Sequence, residues 1–386
     1  MNTSPEHVRT WSRPDEVKFI WRLFAVGLTA WMSVQSVWAA GQSSTAGGSG
    51  ALPIRGLHLS APAKNDLAAA VEFIRESLPK AGVNTLVLEF GYHFDFKSRP
   101  EFADPSALGK DEVQQILKAC REEHIELIPQ LNCLGHQSWV KRDGRLLEKH
   151  PEFDETAGKH PNNEGIYCRS YCPLHPEVHK VLFELMDELA RACEARAFHI
   201  GMDEVFILAD AGCPRCKGRD PARLFADEVK TLHAHLKAIG CRTWMWGDRF
   251  LDGKATGLGE WEASENGTES AIDLVPKDIV ICDWHYDRAP ETPLVFAKKG
   301  CDVVVCPWRK PDVALAQLGQ VRAIRAGTDQ AVARHALGML QTTWCGLSPF
   351  AKACRAQESG GTIEKDSASE SANCFVTLFK AIREKQ

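Results

Sequence analysis

Three features that this chain of 386 residues lacks limit what it can be. No long basic run occurs, and 46 Lys and Arg against 51 Asp and Glu give a formal charge of −5, so electrostatics give no reason to propose a nucleic acid as partner. No Gly-rich phosphate loop follows the first predicted strand, which disfavours a dinucleotide-binding sheet. The longest early apolar run, Leu23 to Met32, is shorter than the ~20 residues of a membrane span.

The first fifty residues have the composition of an export signal followed by a linker. Residues 1–40 combine a basic leader, a short apolar run and a small-residue end at Ala39 and Ala40, which is typical of a cleaved secretory signal. Residues 41–51 form a Gly/Ser linker. A membrane anchor is the alternative for the first segment. We expect an exported mature protein, periplasmic or extracellular, without a stable membrane span after cleavage.

Beyond the linker, short apolar strands alternate with segments of helical period, which indicates repeated βα units and a parallel sheet. Eight strands are predicted, at 56–60, 85–90, 126–131, 197–202, 242–246, 278–282, 302–306 and 338–343. Helices are predicted at 65–78, 110–123, 175–195 and 221–239. Eight units in about 300 residues favour a closed (β/α)8 barrel, an α/β fold, over the alternative of an open doubly wound sheet.

The predicted barrel is one catalytic domain at 52–350, followed by a C-terminal connector and helix at 351–386. Within that tail we expect a loose connector over 355–372 and an amphipathic helix from Asn373. A long loop between Trp139 and His175 follows the third strand, and a second loop follows the fourth. Both loops should leave from the face of the barrel that carries the site.

All 14 cysteines lie beyond the linker. The spacing Cys213-x-x-Cys216 resembles a metal knuckle, and Cys168 and Cys172 could supply two further thiolates. One expectation is therefore a structural zinc site made of these four residues. Disulfides and reduced core thiols are the alternatives, and none of these readings makes the cysteines catalytic.

Carboxylates and tryptophans dominate the predicted C-terminal strand ends, where barrels build their sites. Asp203 and Glu204 close a buried strand, and burial raises a carboxyl pKa into the range needed for proton donation. Since neighbouring residues on a strand point to opposite faces, we expect the two to have different roles. A salt-bridged pair without catalytic meaning is the alternative. The other candidates are Glu89, His136, Trp246, Asp248, Trp284, Tyr286, Asp287, Trp308 and Trp344.

This combination suits a sugar, because indole rings stack on its CH faces while carboxylates, His and Asn bind its hydroxyl groups. A single Trp at a strand end more often packs than binds, but four successive strands each deliver one. His136 follows a strand and a glycine, which favours a place at the rim of the site. His199 lies inside a strand and should be a hydrogen-bonded core histidine.

The sequence His-Ile-Gly-Met-Asp-Glu at 199–204 resembles the His-x-Gly-x-Asp-Glu signature of family 20 glycoside hydrolases, the β-N-acetylhexosaminidases. The likeness extends over 55–344, and segments 84–90, 127–136 and 284–286 are similar to the hexosaminidase D branch. The resemblance implies a (β/α)8 barrel that needs no catalytic cofactor. It also implies that the 2-acetamido oxygen of a glycan's terminal N-acetylhexosamine is the nucleophile.

The same resemblance implies roles for the candidate residues. Glu204 would be the acid and base, and Asp203 would hold the acetamido N–H. Tyr286 would donate to the acetamido oxygen, and His136 would support the acid or bind the sugar. Trp246, Trp284 and Trp344 would wall the acetamido pocket and the sugar ring. Glu89, Asp248 and Asp287 are expected to contact the substrate because they lie at or just past predicted C-terminal strand ends.

Two positions depart from the family pattern. The arginine expected after the first strand is absent, and only Lys64 is available to replace it. Trp344 is followed by Cys345 and Gly346 where the family has a glutamate two positions on. Two alternative functions therefore stay open. One is a glycosidase that uses Glu89 or Asp248 as nucleophile on a sugar without an acetamido group, and the other is a catalytically silent carbohydrate-binding barrel.

Overall fold

A computed structural model describes residues 51–139, 142–360 and 364–384. The predicted signal segment and nearly all of the predicted linker lie outside these residues. The described residues belong to one compact unit. Among the described residues, no helix combines the length and the apolar composition needed to cross a membrane.

Eight parallel strands close into a barrel in which sequence neighbours pair and the last strand pairs with the first. This arrangement confirms the predicted (β/α)8 fold and excludes the open sheet. The strands are β1 (Ile54–Ser60), β2 (Thr85–Glu89), β3 (Glu126–Cys133), β4 (Ala197–Gly201), β5 (Arg242–Trp246), β6 (Val280–Trp284), β7 (Asp302–Cys306) and β8 (Ala336–Thr342).

Closure of the barrel depends on a close approach between β1 and β8. Ile54 pairs with Gly338, whose φ is 147° and whose absent Cβ would lie 2.0 Å from the carbonyl oxygen of Ile54. Only glycine fits there, because any side chain would collide with the backbone of the neighbouring strand. Gly338 thus allows the first and last strands to complete the ring.

The longer helices alternate with the strands and pack around the barrel. They are α1 (Leu67–Glu76), α2 (Lys110–Glu122), α3 (Val178–Cys193), α4 (Pro221–Ala238), α5 (Thr292–Lys298), α6 (Pro311–Arg325), α7 (Leu347–Glu358) and α8 (Ser367–Arg383). Shorter α-helices lie at Leu78–Ala81, Arg145–Lys149, Gly253–Thr256, Gly259–Glu262 and Gln330–Ala333. Short 3₁₀ helices lie at Lys64–Asp66, Pro100–Phe102, Pro151–Phe153, Pro161–Asn163, Asp248–Phe250 and Glu269–Asp273.

Local sequence explains where these helices begin. Pro221 opens α4 directly after Asp220, whose carboxylate accepts from the N–H of Arg223 at 2.8 Å. Glu112 in the first turn of α2 accepts from the N–H of Gly109 at 3.0 Å. Each such cap is worth about 1 kcal/mol because it satisfies an N–H that the helix leaves unpaired. The caps therefore fix the lengths of the loops that reach the strand ends.

The tail differs from its predicted form. Residues 347–358 form α7, and α8 begins at Ser367 rather than at Asn373, so only a short connector separates them. Asp366 caps α8 by accepting from the N–H groups of Ala368 and Ser369, both at 2.9 Å. The first turn of α8 has few apolar residues, and its helical character therefore comes from this cap. The rings of Phe350 and Phe375 then pack at 5.7 Å between α7 and α8.

Candidate active site

A cavity of about 550 Å³ opens at the C-terminal ends of the barrel strands. This volume lies within the range of small-molecule sites, roughly 300–1,000 Å³. The lining combines three carboxylates, Glu89, Asp203 and Glu204, with aromatic rings from later strands and loops. The position of this cavity is consistent with the strand-end rule that was applied to the sequence.

Asp203 and Glu204 both line this cavity, which corrects the expectation that neighbouring residues would face opposite ways. Strand β4 ends at Gly201, and the backbone then turns through positive φ values of 70° at Gly201, 75° at Met202 and 49° at Glu204. At Gly201 a Cβ would lie 2.8 Å from Oδ1 of Asn132, so the turn requires glycine. Strain of this kind concentrates at functional sites.

His136 lies between the two carboxylates. Its Nε2 is 3.3 Å from Oδ2 of Asp203 and 3.2 Å from Oε2 of Glu204. Burial alone would lower the pKa of His136, but the negative charge of Asp203 and the hydrogen-bonding contacts with Asp203 and Glu204 outweigh it and raise that pKa well above its ordinary value. The sequence prediction that His136 belongs to the site is consistent with this position.

Glu204 has the electrostatic surroundings of an acid. Burial is the largest cause that raises its pKa, and the charges of Asp203 and Asp248 add to it. His136 acts in the opposite direction, but the net shift is upward. A carboxyl group with a raised pKa keeps its proton nearer to neutral pH, which general acid catalysis requires.

Asp248 does not line the cavity, contrary to the expectation that it contacts substrate. It is 2% exposed, and its Oδ2 accepts from the N–H of Glu204 at 2.9 Å and from Nε of Arg249 at 2.7 Å. Strand β5 ends at Trp246, and the 3₁₀ turn that follows directs Asp248 beneath the β4 turn. Asp248 therefore holds the backbone of Glu204.

Glu89 lines the cavity at the end of a hydrogen-bonded chain. Nδ2 of Asn132 donates to Oε1 of Glu89 at 2.7 Å, and Nε2 of Gln130 donates to Oδ1 of Asn132 at 2.8 Å. Gln130 in turn lies 3.0 Å from the ring of His58. Lys64 does not replace the absent arginine, because it pairs with Glu112 at 2.7 Å and lies outside the cavity.

Four aromatic side chains from the last three strands line the cavity: Trp284, Tyr286, Trp308 and Trp344. Nε1 of Trp344 donates to the phenolic oxygen of Tyr286 at 2.8 Å, and the hydroxyl of Thr342 is a second hydrogen-bond partner of that phenol. The rings of Trp284 and Tyr286 lie 5.0 Å apart. The predicted positions of Trp284, Tyr286 and Trp344 at one site are consistent with this arrangement.

Two candidates lie elsewhere. Trp246 is 1% exposed and belongs to the packed interior of the barrel, with its ring 4.5 Å from that of His199 and 5.9 Å from that of Trp344. It therefore supports the floor beneath Trp344 and does not wall the cavity. Asp287 is solvent-exposed and pairs with Lys310 at 2.7 Å, because it follows the end of β6 by three residues.

His199 is buried, as the sequence indicated. Its Nδ1 accepts from the N–H of Gly201 at 3.1 Å, so the ring braces the start of the strained turn. Burial lowers the pKa of His199 well below its ordinary value. The imidazole is therefore neutral, and its role is structural.

The sequence reasoning missed Tyr167 and Trp139, which also line the cavity. Both are contributed by the long loop after β3, and their rings lie 5.0 Å apart, with the ring of Trp139 stacked at 6.0 Å from His136. Burial, and then the charge of Glu204, raise the pKa of Tyr167. A loop without periodicity gives no signal for such contacts, although the density of aromatic residues in it was a hint.

Two groups of side chains in the described residues place metal-ligating atoms within 4.8 Å of one another. One is the set His136, Asp203 and Glu204 in the cavity, and the other is Cys172, Cys213 and Cys216. The predicted fourth ligand, Cys168, is not in the second group. Its sulfur lies instead 3.5 Å from the carbonyl oxygen of Glu204, because the loop passes beneath the active site before it reaches Cys172.

Comparison with known proteins identifies the family. The model of glycosyl hydrolase family 20, catalytic domain, matches residues 92–317. Lacto-N-biosidase of Bifidobacterium bifidum is 24% identical over 217 residues, which are 53% of this chain and 17% of that protein. The chain thus spans a small part of that relative.

Solved structures show the same fold at low identity. The chitobiase of Flavobacterium johnsoniae has a TM-score of 0.58 at 18% identity, over 86% of this chain and 51% of that chain. The exo-β-N-acetylglucosaminidase of Vibrio harveyi, solved in complex with N-acetylglucosamine, has a TM-score of 0.56 at 17% identity, over 86% of this chain and 58% of that chain. The narrower likeness to the hexosaminidase D branch stays a prediction. Because the family model covers more than half of the sequence, the chain belongs to glycosyl hydrolase family 20.

Proposed function

We propose that this protein removes a terminal β-linked N-acetylglucosamine or N-acetylgalactosamine from a glycan or glycoconjugate, with retention of configuration. The observation that carries the proposal is the meeting of Asp203, Glu204 and His136 in one cavity that is lined by tryptophans. Family membership and the names of the similar proteins, a chitobiase and an exo-β-N-acetylglucosaminidase, support the choice of sugar.

The proposed first step breaks the bond between the anomeric carbon and the leaving oxygen. Glu204, whose protonated form is favoured by its raised pKa, gives its proton to that oxygen while the 2-acetamido oxygen forms a bond to the anomeric carbon. Asp203 accepts the acetamido N–H and balances the positive charge of the resulting oxazolinium-like intermediate. The phenol of Tyr286, whose oxygen accepts from Trp344, donates its hydrogen to the acetamido oxygen and orients it.

The second step returns the enzyme to its starting state. A water molecule gives a proton to the Glu204 carboxylate and attacks the anomeric carbon, and the bond to the acetamido oxygen breaks. No enzyme nucleophile is needed, in contrast with the usual pair of carboxylates. His136 interacts with both carboxylates throughout and limits their mutual repulsion.

Exposed aromatic rings near Glu204 indicate that the group released from the N-acetylhexosamine is a sugar or a similar group. Trp139, Tyr167 and Trp261 are 49%, 36% and 48% exposed, and the rings of Tyr167 and Trp261 lie 4.9 Å apart. Exposed rings at this spacing offer stacking faces to a second pyranose. We expect Trp139→Ala to weaken kcat/KM for a disaccharide more than for a 4-nitrophenyl glycoside.

The test compares Glu204→Gln with wild type on two substrates, 4-nitrophenyl N-acetyl-β-glucosaminide and the methyl glycoside of the same sugar. We expect a loss of about 10²–10⁴-fold, larger for the methyl glycoside because methanol is the poorer leaving group and depends more on the acid. The matched control is Asp287→Asn, since this carboxylate lies outside the cavity. An unimpaired Glu204→Gln enzyme would refute the assignment.

A thiazoline that mimics the bicyclic intermediate separates this mechanism from a glycosidase with a carboxylate nucleophile. Only the substrate-assisted enzyme should be inhibited tightly. The alternative is weakened at Asp248, which is buried against Arg249 and Glu204, so Glu89 is the remaining candidate nucleophile. Calorimetric binding of N-acetylglucosamine without turnover of either glycoside would instead favour the silent carbohydrate-binding barrel.

We also propose that the protein is exported, which rests on the composition of residues 1–40. N-terminal sequencing of protein recovered outside the cytoplasm should begin directly after Ala39 or Ala40. Recovery of the full-length chain in the cytoplasm alone would contradict this proposal.

A further inference from the structure

Three cysteine sulfurs converge outside the catalytic cavity. The sulfur of Cys172 lies 3.2 Å from that of Cys216 and 3.6 Å from that of Cys213. All three residues are buried, and the N–H of Cys216 points to the sulfur of Cys213 at 3.4 Å. Backbone N–H groups directed at sulfur stabilise thiolates, as around structural zinc ions.

The separations fit a tetrahedral ion. A metal with Zn–S bonds of about 2.3 Å places its sulfurs roughly 3.8 Å apart, so small movements would bring Cys172, Cys213 and Cys216 to this geometry. A single disulfide would use two of the three sulfurs and leave one unexplained. A tetrahedral ion bound by these three sulfurs would need a fourth ligand.

Glu155 supplies a carboxylate at this place. The residue is 2% exposed, and its Oε1 accepts from the N–H of Asp210 at 2.9 Å. Its Oε2 is buried and has no hydrogen-bond partner, and the carboxylate interacts electrostatically with Cys172 and Cys216. Its oxygens do not lie within 4.8 Å of all three sulfurs, so the side chain must rotate toward the cysteines to complete the site. A buried carboxylate oxygen without a partner is costly unless a cation or a proton satisfies it.

We propose that Cys172, Cys213, Cys216 and the Oε2 atom of Glu155 form a structural site for a divalent thiolate-binding cation, for which zinc is the first choice. The donor set is three soft thiolates and one carboxylate, which suits zinc in tetrahedral coordination. On binding, each thiol loses its proton to solvent and no electrons are transferred. Cys168, the fourth ligand expected from spacing, is excluded by its contact with the backbone of Glu204.

The site joins two loops that carry active-site residues. Cys172 and Glu155 belong to the loop after β3, which also contributes Tyr167 to the cavity. Cys213 and Cys216 belong to the loop after β4, which starts directly behind Glu204. A metal here would therefore fix the position of Tyr167 relative to Glu204 without contact with the substrate.

Metal analysis of the full chain, purified in reducing buffer and dialysed against metal-free buffer, tests the proposal. We expect about one zinc per chain by mass spectrometry. In Glu155→Gln the amide still accepts from Asp210, but the charged ligand is lost. Zinc affinity, measured by competition with a chromogenic chelator, should then fall at least about tenfold, the loss that even outer-shell changes cause.

The matched control is Cys168→Ser, which removes a buried cysteine of the same loop but not a ligand. It should keep the zinc content and affinity of the wild type, whereas a four-cysteine site would lose both. Cobalt substitution gives an independent readout, because the sulfur-to-cobalt absorption should persist in Cys168→Ser and change in Glu155→Gln. Cys172→Ser, which removes one of the three thiolates, should lose zinc. If this variant fails to fold, the comparison of Glu155→Gln with Cys168→Ser still tests the site.

Three results would overturn the proposal. The first is that wild-type protein, folded and reduced, binds no zinc. The second is a peptide map that shows a Cys172–Cys216 disulfide in protein isolated from its native compartment, and the third is an equal loss of zinc in Cys168→Ser and Glu155→Gln. None of these results depends on glycosidase activity, so the metal site and the proposed function can fail separately.

Discussion

Replacement of Asp248 by asparagine perturbs Glu204 through its backbone and its electrostatic environment at once. Oδ2 of Asp248 accepts from the N–H of Glu204 at 2.9 Å and from Nε of Arg249 at 2.7 Å. Both side chains are almost fully buried, with 2% and 1% exposure. In Asp248→Asn the guanidinium of Arg249 keeps its charge but loses its counter-ion.

The cost follows from these contacts. A hydrogen bond to a charged group contributes about 1.5–3 kcal/mol, and leaving one member of a buried ion pair unpaired costs about 3–5 kcal/mol. The two effects share one carboxylate and are not additive. We therefore expect the free energy of unfolding to fall by about 3–5 kcal/mol, measured by urea denaturation.

The same change shifts the pH profile. The charge of Asp248 raises the pKa of Glu204, so its removal, together with the uncompensated charge of Arg249, lowers that pKa. The proposed acid must be protonated, and activity therefore falls as the pH rises through the pKa of Glu204. The basic limb of the kcat/KM profile should move to lower pH in Asp248→Asn.

Asp287→Asn is the control, because Asp287 and its partner Lys310 are exposed and neither lines the cavity. It should change neither the pH profile nor, beyond about 0.5 kcal/mol, the free energy of unfolding. A basic limb that stays in place or moves to higher pH in folded Asp248→Asn protein would refute the electrostatic reasoning. A loss of stability no larger than that of the control would refute the assigned role of the buried pair.

Three further predictions concern the turn, the charge network and the aromatic wall. Gly201→Ala should destabilise the fold by about 1–3 kcal/mol and lower kcat, because its Cβ would meet Asn132 at 2.8 Å at a φ of 70°; thermal unfolding and initial rates test this, and unchanged values would refute the strain. The pKa of His136 is raised in the folded state, so its stabilisation is complete below its unfolded pKa and is lost as the pH rises through the folded pKa. The difference in unfolding free energy between wild type and His136→Asn should therefore shrink as the pH rises, and a difference that grows would contradict the assigned charge. Trp344→Phe removes the N–H that donates to Tyr286 but keeps a ring, so kcat on an N-acetyl-β-glucosaminide should fall more than Km rises, and a pure Km effect would point to stacking alone.

Much of the site could be predicted because the barrel converts strand order into spatial proximity. Glu89, His136, Asp203 and Trp344 lie far apart in sequence, yet each follows a strand whose C-terminal end opens on the same face. The alternation of apolar strands with helical segments was enough to place all eight strands to within two residues at most of their boundaries. The barrel topology, rather than the local sequence, therefore brings these site residues close together.

The residues that were misplaced depend on side-chain direction, which strand order does not give. Trp246 is the last residue of β5 and points into the packed interior, next to His199. Asp287 lies three residues past β6 and has already reached solvent, where it pairs with Lys310. Tyr167 reaches the cavity only because its loop is folded back over β4. No periodic pattern in the sequence encodes such a contact.

The charges around the cavity bear on which sugars the proposed enzyme would accept. Glu89, Asp203 and Glu204 line it, while the arginine expected in the family is absent and Lys64 is paired with Glu112 elsewhere. Asp248 forms an ion pair with Arg249, so Arg249 is not available to the substrate. Among the lining residues of the described chain, His136 is the cationic side chain. Because His136 is already shared between two carboxylates, an anionic group on the substrate would meet uncompensated negative charge. Hydroxyl groups, by contrast, can donate to Glu89, whose carboxylate is held in place by Asn132. The absence of the arginine therefore favours a neutral sugar bound through its own donors, which is consistent with an uncharged N-acetylhexosamine.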